Sequence, residues 1–174
     1  MADVPINIHA TLFCGQTFAW NKEGSSFYAV LGGRKIVLDE EHFIDDVLQD
    51  TMLFHYFDMG WEYSKAEQYL GTLDSHLADL IKQYQSIHIL NQDPWEVLIS
   101  FLLSQNNNIK RIRGMYHTLS TNYGTEVEPT SFAFPKPHEL AGTGEAELRS
   151  LGMGFRAPYL LSAIDNADLL ERIP

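Results

Sequence analysis

The stretch that most restricts how this chain can fold is residues 93–119, DPWEVLISFLLSQNNNIKRIRGMYHTL. Asp93 can cap a helix, Pro94 suits the first helical position, and Glu96 completes a capping-box-like start. Trp95, Leu98, Ile99, Leu102 and Leu103 then recur at spacings of three and four, which predicts one buried helical face. Where that phase next comes round stands Asn106, and the apolar stripe gives way to Gln105, Asn106, Asn107 and Asn108. A second helix is predicted after them, with Asn108 as its cap and Ile109, Ile112, Tyr116 and Leu119 as its stripe.

The first turn of that second helix carries Lys110 and Arg111, with Arg113 next. The helix macrodipole favours anions at this end, so each cation there costs about 0.3–1 kcal/mol. A cost kept at that position points to an external anion, and a phosphate is the usual one. The plainer alternative, an Asn-rich loop beside a solvated basic patch, stays open on pattern alone.

The chain has 174 residues, 45% of them hydrophobic, enough for one good core split into two lobes. Its net charge of −11 and pI near 4.9 exclude a molecule-wide field that would draw it to nucleic acid or to anionic membrane. Three of the twelve basic residues nevertheless fall within 110–113, so attraction to DNA would be local and salt-sensitive. The single cysteine, Cys14, rules out an internal disulfide and fits a reducing compartment. With no signal-like start and no apolar run of membrane length, a cytoplasmic or DNA-associated location is expected, with no membrane partner. The seven histidines show no metal-ligand spacing, and no Ser/His/Asp or P-loop motif is visible, so neither a metal nor a cofactor is expected.

Residues 1–58 are predicted to form mainly antiparallel sheet. Ile6 and Ile8, then Phe18 and Trp20, alternate with other residues, and FYAVL and RKIVL flank the hairpin signal Gly32-Gly33. Asp39, Glu40 and Glu41 are expected in a solvated turn. A helix is expected over 47–59, burying Leu48, Met52 and Phe57. Ser64 with Glu67 predicts a boxed helix start, Gly71 a break, and Asp74 a cap for a helix through Leu77, Leu80, Ile81 and Tyr84. Residues 128–142 read as a proline-punctuated loop with one short helix. Helices over 143–151, stopped by Gly152, and over 158–170 complete the chain. Phe155-Arg156 after the Gly152-Met153-Gly154 turn ordinarily means a packed aromatic beside an exposed arginine. The fold class is α+β, a small antiparallel sheet lobe (1–58) followed by an all-helical lobe (59–174).

CGQTFAW (14–20), Tyr56-Phe57, LDSH (73–76), LNQDPWEVLISFLLSQNNNIKRIRGM (90–115) and LGMGFRAPY (151–159) together carry a family likeness. In them the chain resembles the 8-oxoguanine DNA glycosylase/lyases of the helix–hairpin–helix superfamily, over almost its whole length. The resemblance implies base-excision repair: removal of 8-oxoguanine opposite cytosine in double-stranded DNA, by an enzyme that is nuclear if eukaryotic. Such an enzyme takes the damaged nucleotide out of the stack and leaves a hole opposite its partner. By resemblance, Asn106 enters that hole with Asn107 beside it at the DNA. Arg111 and Arg156 donate to the orphaned cytosine, whose pairing edge offers acceptors. Phe155, a Tyr in some members, wedges the kinked duplex. Gly15 is the implied lesion sensor. Guanine N7 is an acceptor but carries a hydrogen in 8-oxoguanine, so the Gly15 carbonyl would attract the lesion and repel the normal base.

One departure stands out. The family's lysine nucleophile lies in a helix–hairpin–helix and its catalytic aspartate follows, both downstream of the last matching segment, and this sequence stops at Pro174. None of its six lysines (22, 35, 65, 82, 110, 136) sits in a matching context, so no catalytic residue is assigned and the chain alone is expected to be inactive. The fold is accordingly expected to be incomplete, lacking a C-terminal segment that would cover the stripes of 95–103 and 109–119 and leaving apolar surface exposed. Two other readings remain: an inert damaged-DNA binding module, and a soluble α+β interaction domain with no DNA role.

Overall fold

A computed structural model describes residues 6–172. By contacts the described residues form two compact units that interleave in sequence: 6–17 with 38–91, and 18–37 with 92–172. The division is therefore not a single cut along the chain. The mixture of small antiparallel sheets with many helices is the α+β class expected.

The first unit contains α1 (Ile8–Phe13), α2 (Phe43–Gln49), α3 (Thr51–Tyr56), α4 (Tyr63–Leu73) and α5 (Ser75–Tyr84). The strand expected at Ile6 and Ile8 is not there. Ile8 opens α1 because the Asn7 side chain accepts the Ala10 N–H at 3.0 Å, a cap that outweighs a two-residue alternation. The helix expected over 47–59 is two helices. Asp50 is extended and its carboxylate accepts the Met52 and Leu53 N–H groups, which ends α2 and starts α3. Phe57 is buried as expected, whereas Leu48 and Met52 are only half-buried. Leu12, Phe43, Val47, Leu53 and Phe57 make the core, with the Phe43 and Phe57 rings edge-on at 5.0 Å.

A polar seam runs beside that core. Buried His88 donates its N–H to Thr11 Oγ1 (3.1 Å), its Nδ1 lies 2.8 Å from the Phe57 carbonyl, and its ring stacks on Tyr63 at 3.9 Å. The expected Ser64/Glu67 box does not form; the Glu67 carboxylate accepts the Ser86 N–H instead. Nor does Gly71 break α4. It lies where α4 and α5 approach, and a Cβ there would sit 3.9 Å from Ala78 Cβ. Asp74 caps α5 as expected, accepting from His76 and Leu77 at 2.8 and 3.0 Å. Neither helix buries a residue, and Tyr69, Leu70, Leu73, Leu77, Leu80 and Tyr84 are exposed.

In the sheet, β1 (Asn21–Glu23), β2 (Ser26–Leu31) and β3 (Arg34–Asp39) lie in that order. β1 pairs antiparallel with β2, Asn21 opposite Tyr28. Gly32 and Gly33 turn the expected hairpin with φ of +56° and +75°, angles that glycine adopts without a Cβ clash. Phe18 and Trp20 are buried, but so is Ala19 between them, and all three precede β1 in a bend rather than a strand. Asp39, Glu40 and Glu41 lead out of β3 into the expected turn.

The second unit is built on α6 (Pro94–Ser104) and α7 (Ile109–Tyr123). Asp93 caps α6 by accepting from Trp95 (2.8 Å) and Glu96 (3.1 Å), and the buried stripe is Trp95, Ile99 and Leu103. On α7, Ile112, Met115, Tyr116 and Leu119 are buried; Ile109, expected in the stripe, is 45% exposed. Glu96 closes no capping box. Its carboxyl accepts the Tyr116 O–H at 2.7 Å across the helix pair, and burial pushes it up to about 7, with Asp93 adding to the rise. Within the expected loop 128–142, Ser131 belongs to a hairpin of β4 (Glu126–Glu128) and β5 (Ser131–Phe132), and Pro137–Glu139 is the expected short helix. Next come α8 (Glu145–Ser150), stopped at Gly152 with φ +89°, a 3-10 turn Gly154–Arg156, and α9 (Ala157–Asp165). The helix expected over 158–170 breaks at Asn166, whose amide turns back to the Ser162 carbonyl, and a 3-10 stretch Ala167–Arg172 follows. Among the described residues no helix is long and apolar enough to cross a membrane.

Candidate nucleic-acid interface

The segment joining α6 to α7 is only four residues long, 105–108, and its side chains divide the work. Asn107 is half-buried. Its Nδ2 donates to the Leu103 carbonyl (2.9 Å) and lies 3.3 Å from Met115 Sδ, while its Oδ1 accepts the Asn108 N–H. Asn108 caps α7 as expected, accepting from the Arg111 N–H at 3.0 Å. Asn106 is left exposed in the left-handed region, φ +47°, which asparagine tolerates better than most residues. Lys110 and Arg111 are exposed in the first turn of α7, which has no acidic residue. Arg113 turns inward and donates to the Trp20 carbonyl at 3.1 Å, and burial holds its guanidinium below the usual range.

Phe155 and Arg156 reverse the ordinary expectation. The aromatic is 49% exposed and the arginine is 2% exposed. Arg156 Nη2 donates to the Gln105 carbonyl and, at 3.2 Å, to the Asn106 carbonyl. The Phe155 ring centroid lies 4.4 Å from the guanidinium carbon. Burial first, and then the charge of Arg111, lower the Arg156 guanidinium from its usual value. Thus Asn106, Arg111, Phe155 and Arg156 share one neighbourhood in the second unit, two of them through direct contacts of Arg156.

Gly15 belongs to the first unit, in the loop after α1, with φ +102°. That conformation strains any residue with a Cβ. The loop is pinned by Gln16, a residue to which the sequence alone assigns no role. Its Nε2 donates to the Thr11 (2.8 Å) and His88 (2.9 Å) carbonyls, and its Oε1 accepts the Leu90 N–H (3.0 Å). No local pattern could flag Gln16, because its partners His88 and Leu90 lie more than seventy residues along the chain.

None of the six lysines is buried. Lys35, Lys65 and Lys82 are ion-paired with Glu128, Glu62 and Asp79, and Lys22 lies over the Phe27 ring. Among the described residues, Asp39, Glu41 and His42 bring ligand atoms within 4.8 Å of one another on an exposed turn, where the Glu41 N–H already bonds Asp39.

Residues 2–98 match the family model described as 8-oxoguanine DNA glycosylase, N-terminal domain. Over 117 residues the chain is 41% identical to the N-glycosylase/DNA lyase of Saccharomyces cerevisiae, covering 64% of this chain and 28% of that protein. The solved structure of MBOgg1 in complex with a low affinity DNA ligand is similar at 32% identity and TM-score 0.82, covering 97% of this chain and 61% of that one. Clostridium acetobutylicum 8-oxoguanine glycosylase/lyase, solved with double-stranded DNA containing cytosine opposite 8-oxoguanine, is similar at 25% identity and TM-score 0.81. There the match covers 95% of this chain and 60% of that one. This chain therefore spans less than two thirds of the length of each of the three.

Proposed function

The chain belongs to the 8-oxoguanine DNA glycosylase family through its N-terminal domain, and from that premise we propose that it carries the recognition machinery of a base-excision repair enzyme. Its substrate is double-stranded DNA containing 8-oxoguanine opposite cytosine, met wherever DNA is housed, the nucleus in a eukaryote. The observation that carries this reading is the exposed, left-handed Asn106 between two well-anchored helices, with Arg111, Phe155 and Arg156 around it.

Taking a nucleotide out of the stack costs a few kcal/mol and leaves its partner unpaired. Asn106 fills the hole. Asn107 holds the loop from inside while lying next to the DNA-facing residue. Arg111 and Arg156 donate to the acceptors on the pairing edge of cytosine, and Phe155 wedges beside it. The α7 N-terminus, with Lys110, takes a backbone phosphate, where backbone N–H groups and side-chain cations act together. The Gly15 carbonyl accepts the N7 hydrogen of 8-oxoguanine and repels the N7 lone pair of guanine, a discrimination of about 1–3 kcal/mol. Removal of the base calls for a lysine that attacks C1′ and forms a Schiff base. None of the lysines present fills that role, so the chain as given binds lesion DNA and does not turn it over.

Fluorescence anisotropy on an 8-oxoguanine·C duplex tests this. Salt-sensitive binding is expected, weakened at least about tenfold by Asn106→Ala with Arg156→Ala. Indifference to both substitutions would remove the proposal, and a borohydride-trapped adduct would show that a lysine here is the nucleophile after all. The net charge of −11 favours a second reading, an interaction domain with no DNA role, which predicts a flat binding curve at low salt.

A further inference from the structure

Arg156 is the one acidic or basic side chain, histidine aside, that is fully buried among the described residues. A buried guanidinium is costly unless hydrogen-bonded. Its Nη2 bonds are to the carbonyls of Gln105 and Asn106, while its buried Nε has no hydrogen-bond partner. Those two carbonyls belong to the peptide groups on either side of the Asn106 Cα. The rotations between these two planes are the φ and ψ of Asn106, the residue held at φ +47°. One nitrogen that bonds both planes restricts both dihedrals at once.

We infer that Arg156 is a positioning residue that clasps the backbone on both sides of Asn106 and so sets the direction in which the Asn106 side chain leaves the protein. The consequence for DNA rests on the function proposed above; the clasp itself belongs to the DNA-free protein. It adds to any contact Arg156 makes with a base, since Nη2 is committed to the loop and its other donors are not. It also couples the two residues. Without the clasp, Asn106 is aimed loosely, and without the Asn106 side chain there is nothing to aim.

The test has two arms. In the first, hydrogen exchange is followed in the DNA-free protein for wild type, Arg156→Met and Arg156→Lys. Amides of 105–108 should exchange about tenfold faster or more in the Met variant, with the β2–β3 hairpin unchanged. The Lys variant keeps charge and donors but loses the planar fork, so it should fall between. If the Met variant does not fold, the Lys variant alone decides, and loop protection equal to wild type would overturn the clasp. In the second arm, affinity for an 8-oxoguanine·C duplex is measured for Asn106→Ala, Arg156→Met and the double variant. The double variant should lose no more than about twofold beyond the worse single one; losses that simply multiply would sink the coupling. Should wild type bind no lesion duplex, the functional proposal falls, and the exchange arm still decides the clasp.

Discussion

The pairs α4–α5 and α6–α7 look alike in sequence and end differently. Each includes a helix capped by aspartate, Asp74 for α5 and Asp93 for α6, and each carries leucines and aromatics at helical spacing. The second pair buries Trp95, Ile99, Leu103, Ile112, Met115, Tyr116 and Leu119, whereas the first buries nothing. An apolar stripe states which face a helix would bury, not whether anything covers it. In α6–α7 the covered stripe makes a rigid base, and the four residues between the helices can then display a strained asparagine.

The sharpest way to break this comparison is truncation in both pairs. Ile99, 0% exposed, should cost about 2–5 kcal/mol on replacement by alanine. Leu73→Ala, at a position 56% exposed, should change stability by no more than about 0.5 kcal/mol. Denaturant midpoints measure both, and a large loss at Leu73 would mean that its face is covered in solution.

The α6–α7 pair also carries a pH dependence of its own. The Glu96 carboxyl lies at about 7 in the fold against an ordinary 4.5, so between those values the folded state holds a proton that the unfolded chain releases. Its contribution is therefore whole below about pH 4.5 and is lost as pH rises through about 7. Glu96→Gln should abolish this dependence and raise stability at pH 8, by about 1–3 kcal/mol. Denaturation at pH 5 and pH 8 checks the sign, and a wild type that gains stability between them would contradict it.

Caps should treat the two pairs alike. Asp93→Ala and Asp74→Ala should each cost about 1 kcal/mol, because each removes a carboxylate that accepts two N–H groups. The second loss should be local to α5 in hydrogen exchange, the first shared with the packed core. The smallest effect concerns Arg111, exposed in α7. Arg111→Ala should weaken duplex binding and lower the salt slope by about one, if it meets a phosphate as well as a base.

Local chemistry made much of this legible. Asp74, Asp93 and Asn108 cap where their spacing says they should, and Gly32-Gly33 turns the hairpin. Errors arose where a distant partner competed. Glu67 left its predicted box for the Ser86 N–H and Glu96 left its own for Tyr116, whereas α1 replaced the expected strand through a local cap, Asn7 accepting the Ala10 N–H. The site was legible in part. The triplet 106–108 was visible as an interruption of a stripe, but its division into one displayed and two structural asparagines depends on Leu103, Met115 and the α7 amides.

By itself the sequence determined where α5, α6 and α7 start, which of their faces are apolar, and that a polar, basic-flanked loop interrupts the central pair, since those depend on neighbours within a turn or two. Tertiary structure alone decided that Arg156 is inside and Phe155 outside. The guanidinium needs acceptors to be buried, and the carbonyls that supply them lie about fifty residues earlier in the chain.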